Sequence, residues 1–358
     1  MTGSFAAVHA LAGRHCIPLT VHLELSYRCN ARCVHCYQDP RAAPRELLIS
    51  DWLALVDQAR AAGALILSLS GGEAMLSPHF WVVAEHARKL GLAVRVQTNG
   101  LLLNRRNVGR LAVLRPREVA VSIFSLDPAK HDAVTRVPES LSRALRGLFR
   151  LRRRNVPVKL SCPLLAISAE DHAAVRQLAC RLGASVGFDP QITPRFDGSS
   201  GPTRCRGDDR VLLSHFRDPH SLGHDRPQPK PVLPDRAPCG MARSFAVVSP
   251  EGELLPCSAL QISAGNVTRT PLDVLWRESP LLQKLRARSF GDLPECGTCP
   301  RSGYCGRCSA MALLEDGDLD GPSSRACHIA ELREQAWGVP PPPGAPQPKR
   351  PRLLVLQG

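Results

Sequence analysis

The chain has 358 residues, 44% of them hydrophobic, which is enough for one large domain plus a smaller one around a true apolar core. No apolar run approaches membrane-spanning length and the N-terminus lacks the basic-then-apolar pattern of a signal peptide, so the sequence reads as cytoplasmic. The net charge of +14 would suit nucleic acid or an acidic peptide, but aromatics at 4% are too few for the stacking platforms that grip single strands.

Fourteen cysteines in a cytoplasmic chain point to metal binding rather than disulfides. Residues 1–17 carry no strong signal. The stretch "TVHLELS" (20–26) alternates as a strand does, and "CNARCVHCYQ" (29–38) follows it, with three and two residues between Cys29, Cys33 and Cys36. "SDWLALVDQARAAG" (50–63) reads as an amphipathic helix, with Ser50 as its cap and Gly63 at its close. "ALILSLS" (64–70) is a nearly continuous apolar strand, followed by the loop "GGEAMLSPH" and a helix from about His79. "LAVRVQT" (92–98) gives way to Asn99-Gly100, and "EVAVSIF" (118–124) precedes Ser125 and Asp127. A long basic helix leads to "VPVKLSC" (156–162), and another helix to "ASVGFDP" (184–190). Six short apolar strands alternating with helices predict a parallel sheet. Right-handed crossovers would curl it into a partial (β/α)6, TIM-like barrel, so the expected class is α/β.

Chemistry in such folds gathers at the carboxyl ends of the strands. There the sequence places the three cysteines, then Gly71, Gly72 and Glu73, then Asn99, then Ser122 and Ser125. Each alone is an ordinary turn or polar residue. Together on one rim they form a constellation.

From residue 191 the pattern breaks into Pro, Gly and charge, which predicts a segment with little regular structure, and residues 206–238 read as a bridge after a core at 18–205. A second cysteine array occupies 239–335. Cys239 precedes a hairpin-like stretch, "SFAVVSPEGELLPC", that turns at Pro250-Glu251-Gly252 and ends on Cys257. Then come Cys296, Cys299, Cys305 and Cys308 in "CGTCPRSGYCGRC", and Cys327 in "RACHIAEL". Residues 336–358 form a proline-rich tail expected to be extended or disordered.

The first half resembles a radical S-adenosylmethionine (radical SAM) core, whose signature is a CxxxCxxC loop after the first strand. The second half resembles the SPASM extension, a cysteine-rich domain carrying auxiliary iron–sulfur clusters in peptide-maturing enzymes. Together the two resemblances cover about residues 18 to 335. Iron–sulfur clusters favour four thiolates, so three leave one iron of a [4Fe-4S] cluster open. In the family that iron chelates SAM, and reductive cleavage yields a 5′-deoxyadenosyl radical. The resemblance further implies that Gly71 and Gly72 let the backbone approach the methionine amino group, with Glu73 beside it. Asn99 and Ser122 match positions contacting the ribose or carboxylate, Tyr37 the aromatic near the adenine, and Arg136 a carboxylate-binding arginine. It assigns Cys296, Cys299, Cys305 and Cys327 to one auxiliary cluster and Cys239, Cys257 and Cys308 to the other. Many relatives carry a further cysteine just before the position of Cys239, and "PVLPDRAP" has none. Cys205 is the nearest spare as a fourth ligand, a substrate group being the alternative. Cys16, Cys162 and Cys180 read as ordinary buried thiols.

The resulting expectation is a radical SAM/SPASM oxidoreductase that crosslinks or otherwise oxidises a ribosomally made peptide. Oxidation of a tetrapyrrole or small cofactor precursor is the alternative substrate class. A flavodoxin- or ferredoxin-like reductant is implied, and a separate leader-recognition protein, because residues 1–17 are too short to hold a leader-binding module. The sequence assigns no catalytic base; Asp189, at the end of the sixth strand, is one of several acids in range. CxxC pairs also occur in zinc ribbons. A basic, zinc-stapled nucleic-acid-binding protein is therefore the non-enzyme reading, and it would make the rim constellation accidental.

Overall fold

In the computed structural model, described for residues 2–38, 45–218 and 232–338, the chain alternates strands and helices from residue 20 to residue 189. The elements run α1 (Thr2–Arg14), β1 (Thr20–Glu24), α2 (Ile49–Ala61), β2 (Ile66–Ser70), α3 (Phe80–Lys89), β3 (Ala93–Thr98), α4 (Arg105–Leu114), β4 (Glu118–Ser122), α5 (Pro128–Thr135), α6 (Ser140–Arg153), β5 (Val158–Pro163), α7 (His172–Arg181) and β6 (Ser185–Asp189). Then follow α8 (Asp209–Arg217), β7 (Phe245–Val248), β8 (Leu254–Leu255), α9 (Leu272–Glu278), α10 (Pro280–Ala287), α11 (Ser309–Asp316) and α12 (Ser324–Trp337). All six predicted strands form, in a parallel sheet that does not close on itself.

The pleat explains the sheet's two faces. Val21, Leu23, Leu67, Leu69, Val94, Val96, Val119, Val121 and Leu160 point to the helical layer and build one continuous core with Trp52, Phe80 and Leu148. The alternate positions, from His22, Glu24, Ser68 and Ser70 to Arg95, Glu118, Ser122, Lys159 and Ser161, share the concave face by register. Contacts along that wall bear this out: His22 Nε2 lies 2.5 Å from Ser70 Oγ, Gln97 Nε2 3.3 Å from Ser68 Oγ, and Arg95 Nε 3.3 Å from Glu118 Oε1.

The structure adds what local pattern did not contain. The full sheet order is β6-β5-β4-β3-β2-β1-β7-β8, so the hairpin of the second cysteine array is welded to β1, with Thr20 opposite Phe245 and Leu23 opposite Val248. Residues 2–14 are helical. The segment after 191, expected to be irregular, holds a 3-10 turn at Gly201–Cys205 and the helix α8, which Asp208 caps by accepting from Val211 N–H at 3.0 Å. α8 survives its Pro- and Gly-rich flanks because Leu212 and Phe216 bury against Ile329 and Leu332 of α12. The cap of α2 is also corrected. Leu48 stands at the N-cap and Ser50 lies inside the helix, while Asp51 accepts from Leu48 N–H at 3.0 Å. Of the three expected buried thiols only Cys162 is buried; Cys16 is half-buried and Cys180 exposed on α7. The proline-rich tail beyond Gly338 and part of the bridge lie outside the described residues.

Candidate iron–sulfur and SAM site

The loop after β1 is held from two sides. Gly71 and Gly72 press against it: a Cβ on Gly71 would stand 2.2 Å from Ser26 O, and one on Gly72 2.4 Å from Arg28 O. Gly71 also has a φ of +128°, a left-handed backbone that favours glycine. The same turn bonds the loop, with Gly72 N–H donating to Ser26 O at 2.7 Å and Glu73 N–H to Arg28 O at 2.9 Å. From the other side, Arg32 N–H and Val34 N–H donate to the carbonyls of Thr135 and Val134 at the end of α5. Within the loop, Ala31 N–H approaches Cys29 Sγ at 3.4 Å.

The remaining rim residues assemble around this loop. Asn99 Nδ2 donates to Asn30 Oδ1 at 2.7 Å and approaches Cys29 Sγ at 3.7 Å. Glu73, wholly buried, accepts from Thr98 Oγ1 at 2.9 Å and Asn99 N–H at 2.8 Å; burial nevertheless raises its carboxyl to about 7. Its carboxylate therefore ties the loop after β2 to the one after β3. The ring of Tyr37 lies 5.1 Å from that of Phe196, and its hydroxyl feels both Cys36 and Cys257. Ser122 lies on the concave wall, half-exposed. Arg136 caps α5 in the left-handed conformation and faces Cys205. Asp189, a candidate base from sequence, accepts from Gln191 N–H at 2.8 Å and so serves its own turn.

Proximity sorts the thiols into groups. Cys29, Cys33 and Cys36 lie within electrostatic reach of one another; so do Cys239, Cys257 and Cys308, and so do Cys296, Cys299, Cys305 and Cys327. Cys205 joins none of them. It packs with Cys33 and Val34 against Phe124, Val134, Leu165 and Ile192, beside the first array instead of the second. Burial pushes Cys33, Cys257 and Cys327 up to about 12 and Cys305 to about 11. Such thiols become thiolates only against a compensating cation, which iron supplies, so the donor sets fit clusters. Among the described residues, no three His, Cys, Asp or Glu side chains converge to hold a single metal ion.

Sequence reasoning missed Arg307 and Glu24. Arg307, nearly buried between Cys305 and Cys308, donates to Ser309 Oγ, Leu319 O and Gly321 O and bonds Cys296, while its charge also reaches Cys239 and Cys305. It is a cation set between the two auxiliary groups, and its only signal is its place in "CGRC". Glu24 ends β1 fully buried, with Tyr27 Oη at 3.2 Å and Gln38 Nε2 at 3.3 Å, and burial raises it to about 7.

An open parallel half-barrel with a three-thiol loop on its rim and seven further thiols in two groups defines an iron–sulfur enzyme. Residues 23–178 match the model of the radical SAM superfamily, and residues 239–300 match SPASM, the iron-sulfur cluster-binding domain. The chain belongs to the radical SAM superfamily and carries the SPASM extension, with a SAM-binding [4Fe-4S] cluster and auxiliary clusters as its cofactors. It is similar to the AdoMet-dependent heme synthase of Methanosarcina barkeri (strain Fusaro / DSM 804), at 26% identity across 84% of this chain and 94% of that protein. It is also similar to the PqqA peptide cyclase of Xanthomonas campestris pv. campestris (strain 8004), at 28% identity across 89% of this chain and 90% of that one. Among solved structures, Streptococcus suis SuiB bound to S-adenosylmethionine superposes with a TM-score of 0.69 at 18% identity, covering 90% of this chain and 81% of SuiB. The anSMEcpe enzyme with bound AdoMet gives 0.65 at 15%, covering 89% of this chain and 96% of that one; these likenesses concern the fold. Among the described residues no helix is long and apolar enough to cross a membrane.

Proposed function

We propose that this enzyme crosslinks side chains of a ribosomally made peptide by oxidation, with residues 18–205 as the SAM core and 239–335 as the auxiliary-cluster domain. Cys29, Cys33 and Cys36 would hold the cluster that binds S-adenosylmethionine. Cys239, Cys257 and Cys308 would hold the inner auxiliary cluster, and Cys296, Cys299, Cys305 and Cys327 the outer. When bound, the cluster and SAM supply hydrogen abstraction from an unactivated carbon, while the chain orients the reactants and excludes water.

The observation that carries the substrate reading is the concave wall. Its accessible Gln97, Ser122 and Ser161 offer an amide and hydroxyls suited to a peptide backbone, where a macrocycle would need a flat apolar slot. The similarity to a PqqA peptide cyclase supports a peptide. The heme synthase at comparable identity favours the second reading, oxidation of a tetrapyrrole side chain. A flavodoxin- or ferredoxin-like reductant and a separate leader-recognition protein complete the proposal.

The test is anaerobic turnover with SAM, reductant and candidate precursor peptides, taken from any short open reading frame beside the gene, followed by mass spectrometry. A peptide that loses two hydrogen atoms as 5′-deoxyadenosine forms supports the proposal. An unmodified peptide together with an altered porphyrin precursor overturns it in favour of the second reading.

A further inference from the structure

Several arginines of this protein are paired with carboxylates: Arg206 with Glu315, Arg288 with Asp320, Arg301 with Glu331 and Glu334. The outer face between α4 and α6 is different. A concavity of about 580 Å³ there is lined by Arg105, Arg146, Arg150, Arg153 and Arg154, with Phe149 in its wall. None of the five arginines makes an ion pair among the described residues, and neither helix contains a single Asp or Glu. Arg105 even stands in the first turn of α4, where the helix dipole opposes a cation. Phe149 is 51% exposed amid this charge, although helices ordinarily turn such a ring inward. Five guanidinium groups with no carboxylate partner around one hollow make a site of concentrated positive charge, complementary to a polyanion.

The hollow, open to solvent on the outer face, has the volume of a ligand site, roughly 300–1,000 Å³. Arginine forks match carboxylates, and the exposed ring offers an apolar anchor beside them. The groove also connects to the rim. Arg143 donates to Leu101 O and Arg150 to Leu103 O, which fastens α6 to the loop that leaves Asn99 beside Cys29.

We infer that the α4–α6 groove binds an acidic segment of the peptide substrate, one carrying an apolar side chain among its carboxylates and lying outside the stretch that reacts. The inference rests on the peptide reading above. The segment's carboxylates pair with Arg105, Arg146, Arg153 and Arg154 while its apolar side chain lies on Phe149.

The probe is a fluorescein-labelled hexaglutamate peptide, followed by anisotropy with the anaerobically reconstituted full chain. Arg146, Arg153 and Arg154 make no side-chain hydrogen bond among the described residues, so their joint change to glutamine leaves the fold's own bonds intact. We expect saturable, salt-sensitive binding that this triple variant weakens about tenfold or more, with iron content and SAM cleavage without peptide unchanged. Arg181→Gln with Arg269→Gln, exposed arginines outside the groove, should stay within about twofold. Placing one leucine among the glutamates should tighten binding to the wild type and not to Phe149→Ala. Absence of binding, equal weakening by both sets of variants, or displacement by a lower concentration of oligothymidylate overturns the inference. The two proposals fail separately. If the natural peptide is modified with the same KM by the triple variant, the groove inference alone falls. If hexaglutamate fills the groove but no peptide is modified, the peptide reading falls, and with it the assignment of the groove to a substrate.

Discussion

Gly71→Ala should strip iron from the first cluster without touching a cysteine. The new Cβ would lie 2.2 Å from Ser26 O, against the 3.0 Å that real Cβ contacts keep, so Ser26 must retreat by about 0.8 Å. That atom accepts the 2.7 Å bond from Gly72 N–H, and the neighbouring Glu73 N–H to Arg28 O bond turns on the same backbone. Losing both costs about 2 kcal/mol. Holding alanine at a φ of +128° adds roughly 1–3 kcal/mol. The sum, about 3–5 kcal/mol, is less than the stability of most domains, so the chain should fold with a Tm lowered by about 10 °C. The strain falls three residues before Cys29, so it moves that thiol relative to Cys33 and Cys36, which α5 holds independently through Arg32 and Val34. Iron and sulfide per chain after anaerobic reconstitution are the assay. Wild type should bind about twelve irons and the variant about eight, with the auxiliary signals intact by electron paramagnetic resonance. A variant with wild-type iron and wild-type SAM cleavage would refute the argument that the glycine pair sets the thiol geometry.

Three further outcomes follow from the same geometry. Replacing Cys29, Cys33 and Cys36 together by alanine should remove about four of about twelve irons, and near-stoichiometric zinc with no iron lost would return the zinc-ribbon reading. Arg307→Met removes the cation between the auxiliary groups, so reduction there becomes harder, and a potentiometric titration should show midpoints lower by about 50 mV. Glu24 is raised from about 4.5 in the unfolded chain to about 7, so its contribution to stability is complete below about 4.5 and is lost as pH climbs through about 7. Glu24→Gln should therefore lose less stability than wild type between pH 6 and 8, by an amount on the order of 1–2 kcal/mol in thermal unfolding; equal slopes would place the proton elsewhere.

The six strands and the rim were legible because they are local. Period-two apolar runs, Gly-Gly and Asn-Gly turns and a three-cysteine loop declare themselves within ten residues each. What escaped depends on partners far away in sequence. α8 carries an Asp208 cap and an apolar stripe, but only α12, more than a hundred residues on, makes the stripe worth burying. Cys205 looked like a spare for the inner auxiliary group by chain distance; packing against the same apolar cluster as Cys33 and Val34 places it beside the first array, in none of the groups. Arg307 is one of 46 basic residues until its neighbours bury it.

The pairing of β7 with β1 carries the strongest functional consequence of the fold. β1 ends five residues before Cys29, and its other edge is bonded to the hairpin whose far end is Cys257. The first thiol array follows the carboxyl end of β1, and the inner auxiliary array follows the hairpin bonded along an edge of the same strand, so the shared sheet sets their separation. Tyr37, which feels both Cys36 and Cys257, stands in the interval. A domain joined to the core only through a hinge would let that interval vary between conformers; a shared sheet does not. Electron transfer between two centres falls steeply with distance, so fixing the gap by backbone hydrogen bonds makes the transfer rate a property of the fold. Lengthening the bridge with inserted glycines should consequently leave the rate of cluster-to-cluster equilibration unchanged. Breaking the pairing at Ala246, which sits opposite Val21 and is fully buried, by Ala246→Pro should slow it and loosen the inner group's iron.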